Sequence, residues 1–168
     1  KSVEFYTEVM GLLVSDWIDD RKVFLRASGG VDHHDLGLLQ MQKEWCDAYE
    51  PARSAVEHFS YHVETLDEME QIVAMLQERG IPIDRGLGKH GPGDNSFIVF
   101  RDPDGNNVEF YSHMIRIDEE HPHVARVWDG ADLATFDQWA LERFVVEPPE
   151  RIKAILSAKS KGKSDGES

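Results

Sequence analysis

Short stretches in which apolar and polar residues alternate are the main pattern in the first quarter of the chain, and this alternation is typical of half-buried β-strands. Two stretches, 12–18 and 21–27, meet at a polar turn, and a third spans 35–42. Before them, residues 1–10 carry apolar residues on one helical face, and Gly11 follows where a helix would end. That face comprises Val3, Tyr6, Val9 and Met10. This part of the chain predicts a helix followed by three strands.

The clearest single element is a helix predicted over residues 65–80. Thr65 is suited to cap its N-terminus, Glu68 occupies the capping-box position, and Gly80 ends it. Its apolar stripe comprises Met69, Ile72, Val73 and Leu76. An alternating segment precedes the helix and three extended segments follow it, at 56–64, 81–88, 96–102 and 107–113. The second half of the chain therefore predicts five elements in the order β-α-β-β-β.

The two halves repeat one order of elements, because the first half is the same unit without its first strand. The sequence thus predicts an α+β fold built from paired βαβββ modules, with an aromatic-rich C-terminal arm that includes a short helix. The last residues lack large apolar side chains and are expected to be disordered. The predicted division is a first module 1–44, a connector 45–55, a second module 56–115, the arm 116–156 and the tail 157–168.

Composition narrows the functional classes. The chain has 168 residues, of which 40% are hydrophobic, enough for a real core, and its formal net charge is −14. An acidic surface argues against nucleic-acid binding, and no segment is long and apolar enough to cross a membrane. The single cysteine, Cys46, cannot form an internal disulfide, so we expect a cytoplasmic protein. The chain starts inside an apparent helix without Met, so we also expect it to begin within a larger protein.

Imidazoles and a carboxylate fall on faces from which they can converge. The period of two places His58, Ser60 and His62 on one face of their strand, and Glu109 lies inside an otherwise apolar strand. If the two strands belong to one curved sheet, His58 and Glu109 form part of a ligand set suited to Fe(II), Mn(II) or Zn(II). The alternative is an exposed histidine and a solvated glutamate, the usual situation of both residue types.

The other histidines carry less information by themselves. His90 lies in a Gly-rich loop, where a histidine is most often a turn residue. The pair His33–His34 precedes a strand and would ordinarily be solvated polar surface. We expect the remaining three to lie at the surface as well: His113, His121 and His123.

Taken together, these features resemble a known signature. The matching residues are, in order, Gly88-Lys89-His90, Ile98, Asp102-Pro103-Asp104-Gly105 and Glu109. This pattern resembles the signature of type I extradiol ring-cleavage dioxygenases, which are catechol 2,3-dioxygenase-like members of the vicinal oxygen chelate superfamily. The resemblance covers roughly residues 1–128, and Trp128 falls where relatives often carry a tryptophan.

The resemblance implies both a fold and a set of roles. Paired βαβββ modules would form a curved, partly open barrel around an Fe(II) site, with Mn(II) as the other metal expected. His58 matches the second metal histidine, and Glu109 matches the metal carboxylate. His34 matches a histidine that acts on bound dioxygen and substrate as an acid or base, and His90 matches the loop histidine that approaches the substrate.

Two departures from the family pattern stand out. Val99 occupies the position where relatives usually place a tyrosine that points into the site. The first metal histidine should lie on a strand preceding Lys1, and residues 1–32 contain no histidine. His62 is a poor substitute because it lies one pleat further along its strand. The third ligand is therefore expected outside this chain.

The implied activity is the opening of a catechol-type aromatic ring with O2, as in aromatic hydrocarbon catabolism. Two other functions stay open: a metal-dependent isomerase or lyase of the glyoxalase type, and a non-enzymatic aromatic-binding protein of the same superfamily. The expected partners are a small aromatic substrate and O2, without nucleic acid or membrane. Relatives often assemble into oligomers, so a homo-oligomer is expected.

Overall fold

The computed structural model describes residues 1–40, 56–140, 150 and 152–154. Within them the chain forms two four-stranded sheets and a few helices. The strands are β1 Leu13–Ile18, β2 Lys22–Arg26, β3 Leu36–Leu39, β4 His58–His62, β5 Ile83–Lys89, β6 Ser96–Arg101, β7 Asn107–Ser112 and β8 Arg126–Trp128. The helices are α1 Ser2–Glu4, which continues as a π-helical turn Phe5–Val9, then α2 Leu66–Glu78 and α3 Leu133–Phe136. The predicted α+β class is confirmed.

The second sheet has the strand order β4-β7-β6-β5. β4 runs parallel to β7, whereas β6 is antiparallel to both β7 and β5. A parallel pair needs a crossover connection, and α2 supplies part of it. The helix begins as predicted, since the Glu68 amide donates to Thr65 Oγ1 at 3.2 Å.

Helix α2 covers one face of this sheet and leaves the other face for the site. The core between helix and sheet includes Ile98 together with Leu66, Met69, Val73, Leu76 and Leu87. Because side chains alternate along a strand, the neighbours of Ile98 point to the opposite face. One of them, Val99, lies directly across from Glu109 in the β6–β7 register. Glu109 therefore belongs to the face away from α2.

The first sheet has the order β3-β2-β1-β8. β1, β2 and β3 form an antiparallel meander, and β8 runs parallel along the outer edge of β1. The sequence did not predict β8, because three residues are too short to show alternation. Within residues 1–40 and 56–140, no strand pairs with the other edge of β3. In the second sheet the equivalent edge, that of β7, is covered by β4.

The first helix differs from its prediction. Gly11 follows it with φ +76°, as expected for a residue just past a helix end. However, the Met10 amide donates to the carbonyl of Phe5 at 3.1 Å, an i→i+5 hydrogen bond that widens the last turn. Widening rotates the end of the predicted apolar face outward, so Val9 and Met10 are 70% and 58% exposed.

Several predictions concern residues outside the described ranges. The connector 45–55, the tail 157–168 and Cys46 all fall there, and the module boundaries stay predictions. No helix among the described residues combines the length and the apolar character needed to cross a membrane.

Candidate metal and acid–base site

Glu109 of β7 is a buried carboxylate, only 6% exposed. Ser60 on the neighbouring strand donates its hydroxyl to Glu109 Oε1 at 3.1 Å, and His90 Nε2 lies 3.6 Å from Oε2. Burial alone would raise the pKa of Glu109, but hydrogen bonding and charge from His90, the charge of His58 and the Ser60 hydroxyl together lower it. The residue is therefore an ionised carboxylate held away from water.

His58 shares the sheet face of Glu109, since it lies two residues before Ser60, the direct partner of Glu109. Its Nδ1 bonds the carboxylate of Glu57, and Arg85 Nη2 lies 3.1 Å from the other oxygen of that carboxylate. The hydrogen bond from His58 is the main cause that lowers the pKa of Glu57 to about 2. With Nδ1 occupied, Nε2 is the His58 nitrogen suited to coordinate a metal.

His90 is held rigidly in the Gly-rich loop by its ring and by one nitrogen. Its ring stacks flat on Phe97, with centroids 3.8 Å apart and an interplanar angle of 1°. Its Nδ1 lies 2.7 Å from the carbonyl oxygen of Phe136 at the end of α3. A carbonyl only accepts, so Nδ1 carries a proton and Nε2 is directed toward Glu109. No pattern in the sequence indicates that the C-terminal arm orients this ring.

Close backbone packing fixes the same loop. A Cβ added to Gly91 would lie 2.7 Å from the indole of Trp128, so only glycine lets the loop approach β8 this closely. Gly93 has φ +77°, and a Cβ there would lie 3.3 Å from ring atoms of both His33 and His34. The loop joins β5 to β6 and packs against Trp128, His33 and His34 beside the site.

His34 is partly buried, and its ring packs on Phe24 with centroids 4.7 Å apart. Burial lowers its pKa to about 3, assisted by the charges of His33, Lys22 and His90. At ordinary pH the imidazole is therefore neutral and has one ring nitrogen available as a hydrogen-bond acceptor. The pKa of Lys22 on β2 is also lowered by burial, against the opposing charges of Glu57 and Glu109. Sequence reasoning missed Lys22, although strand alternation places it on the face of Phe24.

Val99 is fully buried directly across from Glu109. The position at which relatives usually carry a tyrosine therefore lies at the site and presents only methyl groups. His62 is exposed, with its ring 5.3 Å from that of Tyr111. Of the predicted residues, His90 and Glu109 are in direct contact, while His58 and His34 interact electrostatically with Glu109. Their assignment as ligands and acid–base groups stays a prediction.

A second cluster lies deeper, between β1 and the C-terminal arm. It consists of Asp16, His33 and His123, each offering one possible ligand atom within 4.8 Å of the others. His33 is 0% exposed, so the expectation of a solvated histidine pair is wrong for this residue. The side chain of His123, expected at the surface, is nearly buried and hydrogen-bonds Asp16. The cause is the buried Asp16 carboxylate, which draws both imidazoles inward.

Comparison with known proteins shows the family to which this chain belongs. The model of the glyoxalase/bleomycin resistance protein/dioxygenase superfamily matches residues 1–110. The chain belongs to this superfamily. The predicted membership of the vicinal oxygen chelate group is thereby confirmed.

Individual members of the superfamily are similar to the chain over most of its length. Metapyrocatechase 2 of Cupriavidus necator is 27% identical over 143 residues, which cover 83% of this chain and 40% of that protein. The Mn(II)-bound glyoxalase of Novosphingobium aromaticivorans is 28% identical with a TM-score of 0.69, covering 88% of this chain and 45% of that one. Homoprotocatechuate 2,3-dioxygenase of Arthrobacter globiformis shares the fold, at 23% identity and a TM-score of 0.66 over 84% and 42% of the two chains. This chain spans less than half the length of each.

Proposed function

We propose that the intact protein is an Fe(II)-dependent extradiol dioxygenase that opens the ring of a catechol-type aromatic with O2. The observation that carries the proposal is the buried, ionised Glu109, which shares a sheet face with His58 and is approached by His90. The similarity to a metapyrocatechase supports the same reaction class.

The residues at this site fit a divalent cation. A buried carboxylate is costly unless a positive charge or several hydrogen bonds compensate it. Among the described residues Glu109 receives one hydroxyl hydrogen bond and a longer contact at 3.6 Å from a histidine, so a cation would complete its environment. One carboxylate with imidazole nitrogen is a donor set that suits Fe(II) or Mn(II).

We assign the third protein ligand to a segment outside the described residues. We propose that this segment pairs with the edge of β3, because β4 covers the equivalent edge of β7 in the second sheet. When bound, Fe(II) would offer its open coordination positions to the two oxygens of a catechol and to O2.

The chain's own residues bind the substrate and manage protons. Neutral His34 presents one ring nitrogen to a substrate hydroxyl as a hydrogen-bond acceptor, and a negatively charged substrate would raise its basicity so that it can take the proton. His90 donates a hydrogen bond from Nε2 when protonated, at a position fixed by Phe136 and Phe97. Phe24 and Phe97 are buried and pack against the rings of His34 and His90, so they hold these two imidazoles in place. Val99 lacks the hydroxyl donor that a tyrosine would supply. We therefore expect a different choice of substrate or a slower reaction.

A second function is favoured by one comparison. The Mn(II)-bound glyoxalase has the same fold at 28% identity. In a metal-dependent isomerase or lyase, the cation polarises a carbonyl and a neighbouring base moves a proton, without consumption of O2. His58 and Glu109 would bind Mn(II) or another divalent ion, and His34 and His90 would move the proton.

Oxygen consumption separates the functions. The intact protein, loaded anaerobically with Fe(II), is mixed with a panel of catechols in an oxygen electrode while a yellow ring-opened product is followed by absorbance. The proposal predicts equimolar O2 uptake and product formation, abolished in Glu109→Gln and retained in the exposed control Glu119→Gln. Turnover of a carbonyl substrate under anaerobic conditions would instead support the isomerase. Stoichiometric binding of an aromatic without metal or turnover would identify a binding protein.

A further inference from the structure

The carboxylate of Asp16 is buried and receives three hydrogen bonds, and a fourth N–H group lies close to it. The Arg126 amide and His123 Nε2 approach Oδ1 at 2.8 and 2.9 Å. Trp128 Nε1 donates to Oδ2 at 2.7 Å, and His33 Nε2 lies 3.1 Å from the same oxygen. Burial opposes ionisation, but these partners together hold the pKa of Asp16 far below its usual range. Asp16 is therefore an anion with no proton to give.

The two ring nitrogens of His33 face different groups. Nε2 faces the Asp16 carboxylate, and Nδ1 faces the ring of His34. Its Nε2 approaches Asp16 obliquely, outside good hydrogen-bond geometry, and is buried with no other hydrogen-bond partner among the described residues. A lone pair on Nε2 would face a negative charge inside the protein, so the proton of a neutral His33 belongs on Nε2. Its Nδ1 is then left as an acceptor.

The remaining link is the contact between the two imidazoles. Nδ1 of His33 and Nδ1 of His34 lie 3.0 Å apart, a distance that requires one proton between them. If His33 Nδ1 accepts, His34 Nδ1 must donate, and the lone pair of neutral His34 then resides on Nε2. Gly93 and Phe24 pack against the His34 ring and hold it in this orientation.

From this chain of contacts we infer that Asp16 and His33 are positioning residues that fix His34 as the Nδ1–H tautomer and present its Nε2 as the proton-accepting atom. The catalytic consequence rests on the proposed function, whereas the tautomer itself is a property of the metal-free protein. The pair acts through His34 and does not touch the substrate.

A metal at the same cluster is the competing interpretation. Three hydrogen bonds and the nearby Nε2 of His33 surround the Asp16 carboxylate. His123 Nε2 also lies 3.2 Å from the carbonyl oxygen of Ser15. A nitrogen between a carboxylate and a carbonyl carries a proton and does not bind a cation. The cluster is therefore a hydrogen-bond centre in which each proton has a defined position.

The tautomer is measured directly by ¹⁵N NMR of the intact, metal-free protein with labelled histidine, because protonated and unprotonated ring nitrogens resonate far apart. The inference predicts a protonated Nδ1 and an unprotonated Nε2 for His34, and the opposite assignment for His33. An unprotonated His34 Nδ1, or a His33 protonated on both nitrogens, would overturn it. A shift of the His33 and His123 resonances on addition of zinc, reversed by a chelator, would also overturn it in favour of the metal.

Three variants test the assigned roles. His33→Phe removes the acceptor, so His34 is expected to become a mixture of tautomers. His33→Asn retains a carbonyl oxygen that accepts from His34 Nδ1, so the single tautomer is expected to return. His123→Phe is the matched control, because it removes a neighbour of Asp16 that does not contact His34. Loss of the single tautomer in His123→Phe, or its persistence in His33→Phe, would contradict the inference.

Kinetics on the iron-loaded protein separate this inference from the function on which it rests. His33→Phe should lower kcat by about 10- to 100-fold, with KM and iron content nearly unchanged, and His33→Asn should restore most of the loss. If His34 shows the expected tautomer but the wild type consumes no O2, the proposed function fails and the inference stands. If O2 is consumed but His34 shows the other tautomer, the inference fails alone.

Discussion

At the scale of the residue, the site depends on imidazoles whose nitrogens are assigned by their neighbours. His90 Nδ1 faces the Phe136 carbonyl, and His58 Nδ1 faces the Glu57 carboxylate. In both rings Nε2 is therefore the atom left for substrate or metal. His34 reaches the same arrangement through His33. A histidine can act as ligand, base or hydrogen-bond donor, and these contacts restrict each ring to one of those roles.

The buried environment of His34 predicts a pH dependence of stability. Its pKa is lowered to about 3 from the ordinary value of 6.5, so between these values the unfolded chain binds a proton that the folded protein does not. The free energy of unfolding should then fall as the pH falls from about 7 to about 5, by at most about 1.4 kcal/mol per pH unit from this group. Denaturant titration of the metal-free protein at several pH values measures it.

His34→Phe is expected to flatten this pH dependence, because it removes the titrating ring. The acidic groups Asp16 and Glu57 have lowered pKa values, so their stabilisation is lost only below about pH 4.5 and does not interfere. An unchanged slope in His34→Phe would show that His34 is not the group responsible.

At the scale of the element, the second sheet separates stability from chemistry. Helix α2 packs on one face through Met69, Val73 and Leu76, and the opposite face carries Glu109. The C-terminal arm orients the site, because α3 and β8 contact the loop that contains His90. Changes in α2 should thus affect folding, and changes in the loop should affect turnover.

Met69→Ala tests the first half of this division. The side chain is fully buried in the core beneath α2, so its truncation should lower the free energy of unfolding by about 2–5 kcal/mol. Iron content and kcat of the folded fraction should remain those of the wild type, because the helix lies on the face away from Glu109. Denaturant titration and metal analysis at low temperature measure the two quantities. Loss of iron from protein that is still folded would contradict the division.

Gly91→Ala tests the second half. The new methyl group would lie 2.7 Å from the Trp128 indole, so the loop must move away from β8 and carry His90 with it. We expect a lower kcat with iron retained. Gly37→Ala is the control, because its methyl group would meet its nearest neighbour, Lys22 Cε, at an ordinary 3.7 Å. Equal activities of the two variants would argue that the position of His90 is unimportant.

At the scale of the whole molecule, local signals in the sequence predicted the elements, and distant contacts completed the site. Helix α2 was predictable because its cap, apolar stripe and terminal glycine lie within one segment. β8 and the Asp16 cluster were not, since Asp16 and His123 are 107 residues apart and neither carries a local sign of the other. The family pattern suggested the role of Glu109, whereas no pattern in the sequence indicated that His33 is buried.

Iron content is the most direct test of the proposal that Glu109 and His58 bind the metal. The intact protein and its Glu109→Gln, His58→Gln and Glu119→Gln variants are loaded anaerobically with Fe(II), desalted and analysed for iron per folded protein. About one iron per protein is expected in the wild type and in Glu119→Gln, and most of it should be lost in the other two variants. Full iron in Glu109→Gln would show that Glu109 is not a metal ligand.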